Sequence, residues 1–195
     1  MFRFISKIKK TFFGEISILK LYCILYLVGT FLGICAAILL KEQFTEQVRL
    51  LFSSENCCSF WSAYLQQAVI FVFLFFLGLT AIGIPILPLY PIYKGFSLGL
   101  LISLGIICYG FEGFFLGFPA FFIQNAYYAF LGYFICYSSA RLSISLLQLI
   151  RGYGKHSATY QELIQHVYCI IAVLPLIAIG SFWESSVVPI ILKLF

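Results

Sequence analysis

The sequence predicts an all-α, polytopic membrane bundle of about five transmembrane helices, and three observations carry that prediction. Of 195 residues, 63% are hydrophobic and only 10% charged, with a mean hydropathy of +1.05, well beyond the apolar content of soluble domains. The few charges leave long uncharged runs: 20 residues between Lys20 and Lys41, 38 between Glu55 and Lys94, 17 between Lys94 and Glu112, 28 between Glu112 and Arg141, and 21 between Glu162 and Glu184. A spanning helix needs roughly 20 apolar residues, so each run holds one span. The cations are also lopsided. With the N-terminus in the cytoplasm, nine fall inside (Arg3, Lys7, Lys9, Lys10, Lys20, Lys94, Arg141, Arg151, Lys155) and three outside (Lys41, Arg49, Lys193). This bias favours an N-terminus inside and a C-terminus outside, and it accounts for the net charge of +5 without a nucleic acid or other anionic partner.

In order along the chain, residues 1–20 place Ile5, Ile8, Phe12, Ile16 and Leu19 at steps of three and four, with basic residues between them. That spacing describes one helical face and predicts a cytoplasmic amphipathic segment on the inner membrane surface. No A-x-A site follows the first apolar run, so a cleaved signal peptide is not expected. The single transmembrane domain, 21–195, then follows, with spans at about 21–40, 62–86, 94–111, 119–140 and 163–184. Gly29 and Gly33 in the first span have GxxxG spacing, read as ordinary close helix packing. The loop 41–59 carries mixed charge and offers an outside contact surface.

The second and third spans are joined by an elbow with prolines at three-residue spacing, Pro85, Pro88 and Pro91. Proline lacks an amide hydrogen and crowds the preceding turn, so the helix must stop there. Lys94 follows, then a small-residue patch, Gly95-Phe-Ser97-Leu-Gly99, which lets the third helix approach its neighbours. Residues 110–119, GFEGFFLGFP, are expected to form an outside turn or shallow re-entrant segment before Pro119 opens the fourth span.

Gln124 and Asn125 sit slightly more than one turn inside that span, where unpaired amides are costly, so they are expected to face the bundle interior. The helix is expected to continue through Arg141 to Ile150 and end at Gly152, and Thr159-x-x-Glu162 has the capping-box pattern that starts the fifth helix. In that helix Glu184 matches the depth of Gln124 and Asn125, and it is expected beside them between helices.

Seven cysteines are too scattered for a disulfide framework. Five lie in predicted spans as small apolar residues, and Cys57 and Cys58 are adjacent in the first outside loop. No Cys/His metal spacing occurs, so neither a metal nor a cofactor is expected.

The elbow PLYPIYKGFSLG, the glycine-rich GFEGFFLGFPAFFIQNAYY and a last helix with Glu184 before Pro189 together resemble the bacterial stage II sporulation protein M family, over roughly 85–140 and the final helix. The resemblance implies a non-enzymatic component of the bacterial cell membrane that belongs to the engulfment machinery and holds peptidoglycan-degrading partners at the septal membrane. It also implies structural and interaction roles for Lys94, Gly95, Gly99, Gln124, Asn125 and Glu184, with no catalytic residue. The remaining partners expected are membrane lipids and a possible second copy of the chain.

Two rival functions are open at this point. Gly95-Phe-Ser97-Leu-Gly99 is literally G-x-S-x-G, and His166 could serve Ser97 as the base of a rhomboid-like intramembrane serine protease. Two glycines flanking a serine for packing is the simpler account. Aspartyl proteolysis is excluded because the chain contains no Asp, and no HExxH motif is present. A small transporter or channel subunit is the other rival, with Glu112, Glu184, Gln124 and Asn125 lining a path. Without an evident inverted repeat, one chain makes a poor carrier.

Overall fold

The computed structural model describes residues 2–41, 59–80, 83–117, 121–152 and 156–193. Among these residues the protein is helical without strands. The elements are α1 (Phe2–Leu39), α2 (Phe60–Gly78), the short α3 (Gly83–Ile86), α4 (Leu89–Gly117), α5 (Ile123–Ile150), α6 (His156–Phe182), a π-helical turn (Trp183–Val187) and α7 (Val188–Lys193). Five stretches are long and apolar enough to cross a membrane: Ile18–Leu39, Phe60–Gly78, Gly83–Phe111, Ile123–Ile150 and His156–Ile190.

The spans alternate in direction. Glycine contacts between α1 and α4 rise together in number, Gly29 with Ile92 and Gly33 with Phe96, so these two helices are parallel. Bonds between α5 and α6 run oppositely, with Arg141 on Glu162 at one end and Tyr128 on Ser181 at the other. The core lies among α2, α4, α5 and α6, around Phe71, Leu87, Tyr128, Ile135 and Ile177.

Four glycines decide how α1 joins this core. A Cβ on Gly29 or Gly33 would collide with the carbonyl oxygen of Ile92 or Phe96, and one on Gly95 or Gly99 with that of Tyr26 or Thr30. Each pair is one GxxxG stripe, and the two stripes interlock backbone to backbone. Beyond the crossing, Ala37 and Leu104 are fully buried together. The other faces of α1 stay exposed: Leu27, Phe31 and Leu39 stand clear of the bundle.

The elbow stands where the prolines put it, although α2 ends at Gly78, short of the expected 86. The reason is external to α2. Ser143 of α5 donates to the carbonyls of Gly78 and Thr80 at 3.1 and 2.9 Å, and Ser139 donates to that of Leu74 at 3.0 Å. Carbonyls at the end of α2 therefore find donors on a neighbour, where a further turn of the same helix would otherwise supply them. Pro91 falls in the first turn of α4, a position where proline is tolerated, so this helix begins at Leu89, before Lys94.

Three further expectations change. The basic N-terminal stretch and the first span form one helix, Phe2–Leu39, without a break. The turn expected from residue 110 is present as a break at Gly110, where φ is +63° and ψ −140°, but the residues after it to Gly117 are helical, so α4 is two helical stretches joined across a kink. Helix α6 begins at His156, which puts Thr159 and Glu162 inside it, and Glu162 pairs with Arg141 at 2.5 Å in place of capping the helix. The end of α5 follows the sequence, at Ile150 with Gly152 at φ +79°. Pro119 and the Cys57–Cys58 pair lie outside the described residues, as does the side chain of Glu112.

Candidate functional site

Four of the five spans contribute a polar side chain to one place inside the bundle. Lys94 of α4 is 5% exposed. Its ammonium donates to Oε1 of Gln67 on α2 at 3.1 Å and lies 5.1 Å from the centre of the Tyr128 ring on α5. The opposite charge facing it is Glu184, in the π-helical turn that follows α6.

The depth of this centre follows from the helix rise. Gln67 is eleven residues from Gly78 at the elbow end of α2, about 16 Å along the axis. The hydrocarbon core is about 30 Å thick, which puts Lys94 near its middle. Lys94 was expected at the aqueous end of its span, among the inside cations. It is instead a buried charge, admitted because an amide oxygen, an aromatic face and a carboxylate replace its water.

Tyr128 is anchored from its other end, its hydroxyl 3.3 Å from that of Ser181, which donates to the carbonyl of Ile177 at 3.0 Å. Gly180 allows this approach, since a Cβ there would lie 2.8 Å from the Tyr128 hydroxyl. Tyr90 donates to the carbonyl of Tyr128 at 3.1 Å, tying α4 to the same turn of α5.

Of the amide pair, Gln124 lies close enough to Glu184 to interact with its carboxylate. Asn125 is buried and donates to the carbonyl of Phe121 in its own helix at 3.1 Å. The structure thus brings Lys94, Gln124 and Glu184 into one cluster and turns Asn125 to a local role. Gly95 directly follows Lys94 and Gly99 lies about one turn further on, both on the face of α4 that meets α1. Lys94 spends its hydrogen bond on Gln67, while Oε2 of Glu184 is buried without a hydrogen-bond partner among the described residues, as is the indole nitrogen of Trp183.

Gln67, Tyr128 and Ser181 escape a reading of the sequence. One signal was present: Gln67 is among the few polar residues in the uncharged run before Lys94, and a glutamine inside a span needs a partner. The π-helical turn at Glu184 left no mark in the sequence. Such turns gather at functional sites because the inserted residue redirects a side chain.

His166 belongs to a different cluster, toward the elbow end. It is fully buried and stacks on Phe75 with centroids 4.5 Å apart. Nδ1 is 3.0 Å from the Ser138 hydroxyl, and Nε2 is 3.1 Å from the carbonyl oxygen of Phe75. Both ring nitrogens are thereby occupied, and Ser97 is neither one's partner. Among the described residues, no group of three or more His, Cys, Asp or Glu side chains is placed to hold a metal ion.

Residues 22–189 match the family profile of stage II sporulation protein M. No curated protein and no solved structure matches the chain. The match takes in the elbow, the polar centre and all five spans up to Pro189.

Proposed function

Since the chain belongs to the stage II sporulation protein M family, we propose that it is a non-enzymatic, multi-pass component of the bacterial cell membrane that holds peptidoglycan-degrading partners at the septal membrane. The observation that carries this reading is how the polar side chains in the spans are used. Lys94 is engaged by Gln67, Tyr128 by Ser181, His166 by Ser138 and the Phe75 carbonyl, and Ser139 and Ser143 by carbonyls of α2. Groups so committed stiffen a platform, and none of the groups named here is a nucleophile set beside a free base.

In this proposal the N-terminus is cytoplasmic and the C-terminus outside. Removing buried Lys94 from the nine inside cations leaves eight against three, so the bias that argues for this threading persists. Loops at either end of the bundle then present contact surfaces to partners in the two compartments.

The test is capture of the full-length protein from native membranes of sporulating cells after crosslinking. Peptidoglycan hydrolases are expected among the captured proteins, at equal yield from wild type and Ser97→Ala. Their absence, or a Ser97→Ala protein that fails while remaining folded, overturns the scaffold. A second reading, a channel or transporter subunit, is favoured by one observation, the buried Oε2 of Glu184, which has no hydrogen-bond partner among the described residues. Ion flux in liposomes holding only this protein would establish it in place of the scaffold.

A further inference from the structure

The outward face of α2 carries a polar group where lipid offers nothing to bond it. Gln66 is exposed, and among the described residues its amide has no hydrogen-bonding partner. Its neighbour Gln67, about 100° round the helix, points inward to Lys94, so the two glutamines lie on different faces at nearly the same depth. Gln66 lies twelve residues from Gly78, about 18 Å from the elbow end.

Other exposed glutamines have water within reach. Gln165 adjoins His166, which bonds the Phe75 carbonyl beside the elbow, and Gln148 and Gln161 lie beyond the Ser143–Thr80 bond. Gln66 is the exposed amide set inside the hydrocarbon. There an unsatisfied amide costs several kcal/mol, roughly.

The exposed residues around it follow a pattern of their own. Ser62, Gln66, Val69, Phe73 and Phe76 are all exposed, at steps of four, three, four and three. Steps of three and four mark one continuous face of the helix, the geometry on which a second helix can pack. A single buried amide in a seam between helices fixes register and oligomeric state.

We propose that this face of α2 is the interface of a parallel two-fold dimer of the chain, with Gln66 paired to Gln66 of the second copy. The choice of occupant rests on chemistry and depth. A primary amide is both donor and acceptor, so it complements itself. Two copies threaded alike through one membrane carry Gln66 at the same depth, and a two-fold axis along the membrane normal then brings the amides together, each donating to the other. The aromatic residues Phe73 and Phe76 close the seam toward the elbow.

The dimer is tested on the full chain by sedimentation equilibrium in density-matched detergent micelles, with single-molecule photobleaching in membranes as a second measurement. A wild-type dimer is expected, and Gln66→Leu, which removes both reciprocal hydrogen bonds, should raise its dissociation constant by at least roughly 3- to 30-fold, the range for one interhelical hydrogen bond in a membrane. Gln66→Asn should keep most of the affinity. Phe73→Ala should weaken the dimer, while Gln165→Leu should leave it unchanged. A monomer at all concentrations overturns the proposal, as does a dimer indifferent to both Gln66→Leu and Phe73→Ala. Because both positions face away from the core, unchanged helicity and melting of the variants separate loss of the dimer from loss of the fold.

Discussion

Replacing Gly33 by leucine should detach α1 from the rest of the protein. A Cβ at this position falls 2.8 Å from the backbone nitrogen of Leu100 and collides with the carbonyl oxygen of Phe96, whereas ordinary contact begins at 3.4 Å. The nearest atoms are backbone, so no side chain can swing aside, and the helices must part by more than half an ångström. A gap of about 0.5–1 Å forfeits a quarter to a half of each dispersion contact along the crossing. Overpacking of this kind costs about 3 kcal/mol at the upper end of its usual range, and for a chain of this size that lowers the melting temperature by about 6–12 °C. The assay is heating in detergent followed by size exclusion of the surviving fold, with Ile38→Ala on the exposed face of α1 as the neutral control. If Gly33→Leu melts with the wild type, the interlocked glycines are not what holds α1.

Three more outcomes follow from the same geometry. Lys94→Met leaves Gln67 and Glu184 without their cation and should destabilise the fold by about 3–5 kcal/mol, the cost of an orphaned buried charge; Lys94→Met with Glu184→Gln should recover part of that loss, and a double variant no better than the single would refute the coupling. Ser143→Ala strips the donor from the carbonyls of Gly78 and Thr80, which predicts a loss of about 1–3 kcal/mol and faster hydrogen exchange at the end of α2, against an unchanged rate at its start. Glu162→Gln breaks the pair with Arg141, whose side chain is 38% exposed, so the melting temperature should fall by no more than about 1 kcal/mol allows, and less still in high salt.

Much of the architecture was legible because each residue states its own solvent preference. Charge spacing marked the five spans, three prolines marked the elbow, and Gly152 marked the end of α5. The candidate site was legible only in part. Depth along a helix is a local count, so Glu184 and Gln124 could be matched from their positions in their spans. Lys94 was misplaced because a cation beside prolines has the pattern of a loop boundary, and its partners Gln67 and Tyr128 are 27 and 34 residues away in the chain. GxxxG spacing marked Gly29, Gly33, Gly95 and Gly99 as small, yet gave no sign that the two stripes fit each other.

The sequence by itself determined that this chain is built to span a bilayer, how many spans it holds, and where its proline elbow falls. These follow from transfer free energies, which add residue by residue along the chain. Only the tertiary structure decided which helix faces meet. In lipid the apolar faces are nearly interchangeable, so the choice falls to backbone approach at four glycines and to a handful of polar groups that must find one another across the bundle. That requirement buries Lys94 opposite Glu184, commits both nitrogens of His166 to Ser138 and the Phe75 carbonyl, and leaves Gln66 facing outward.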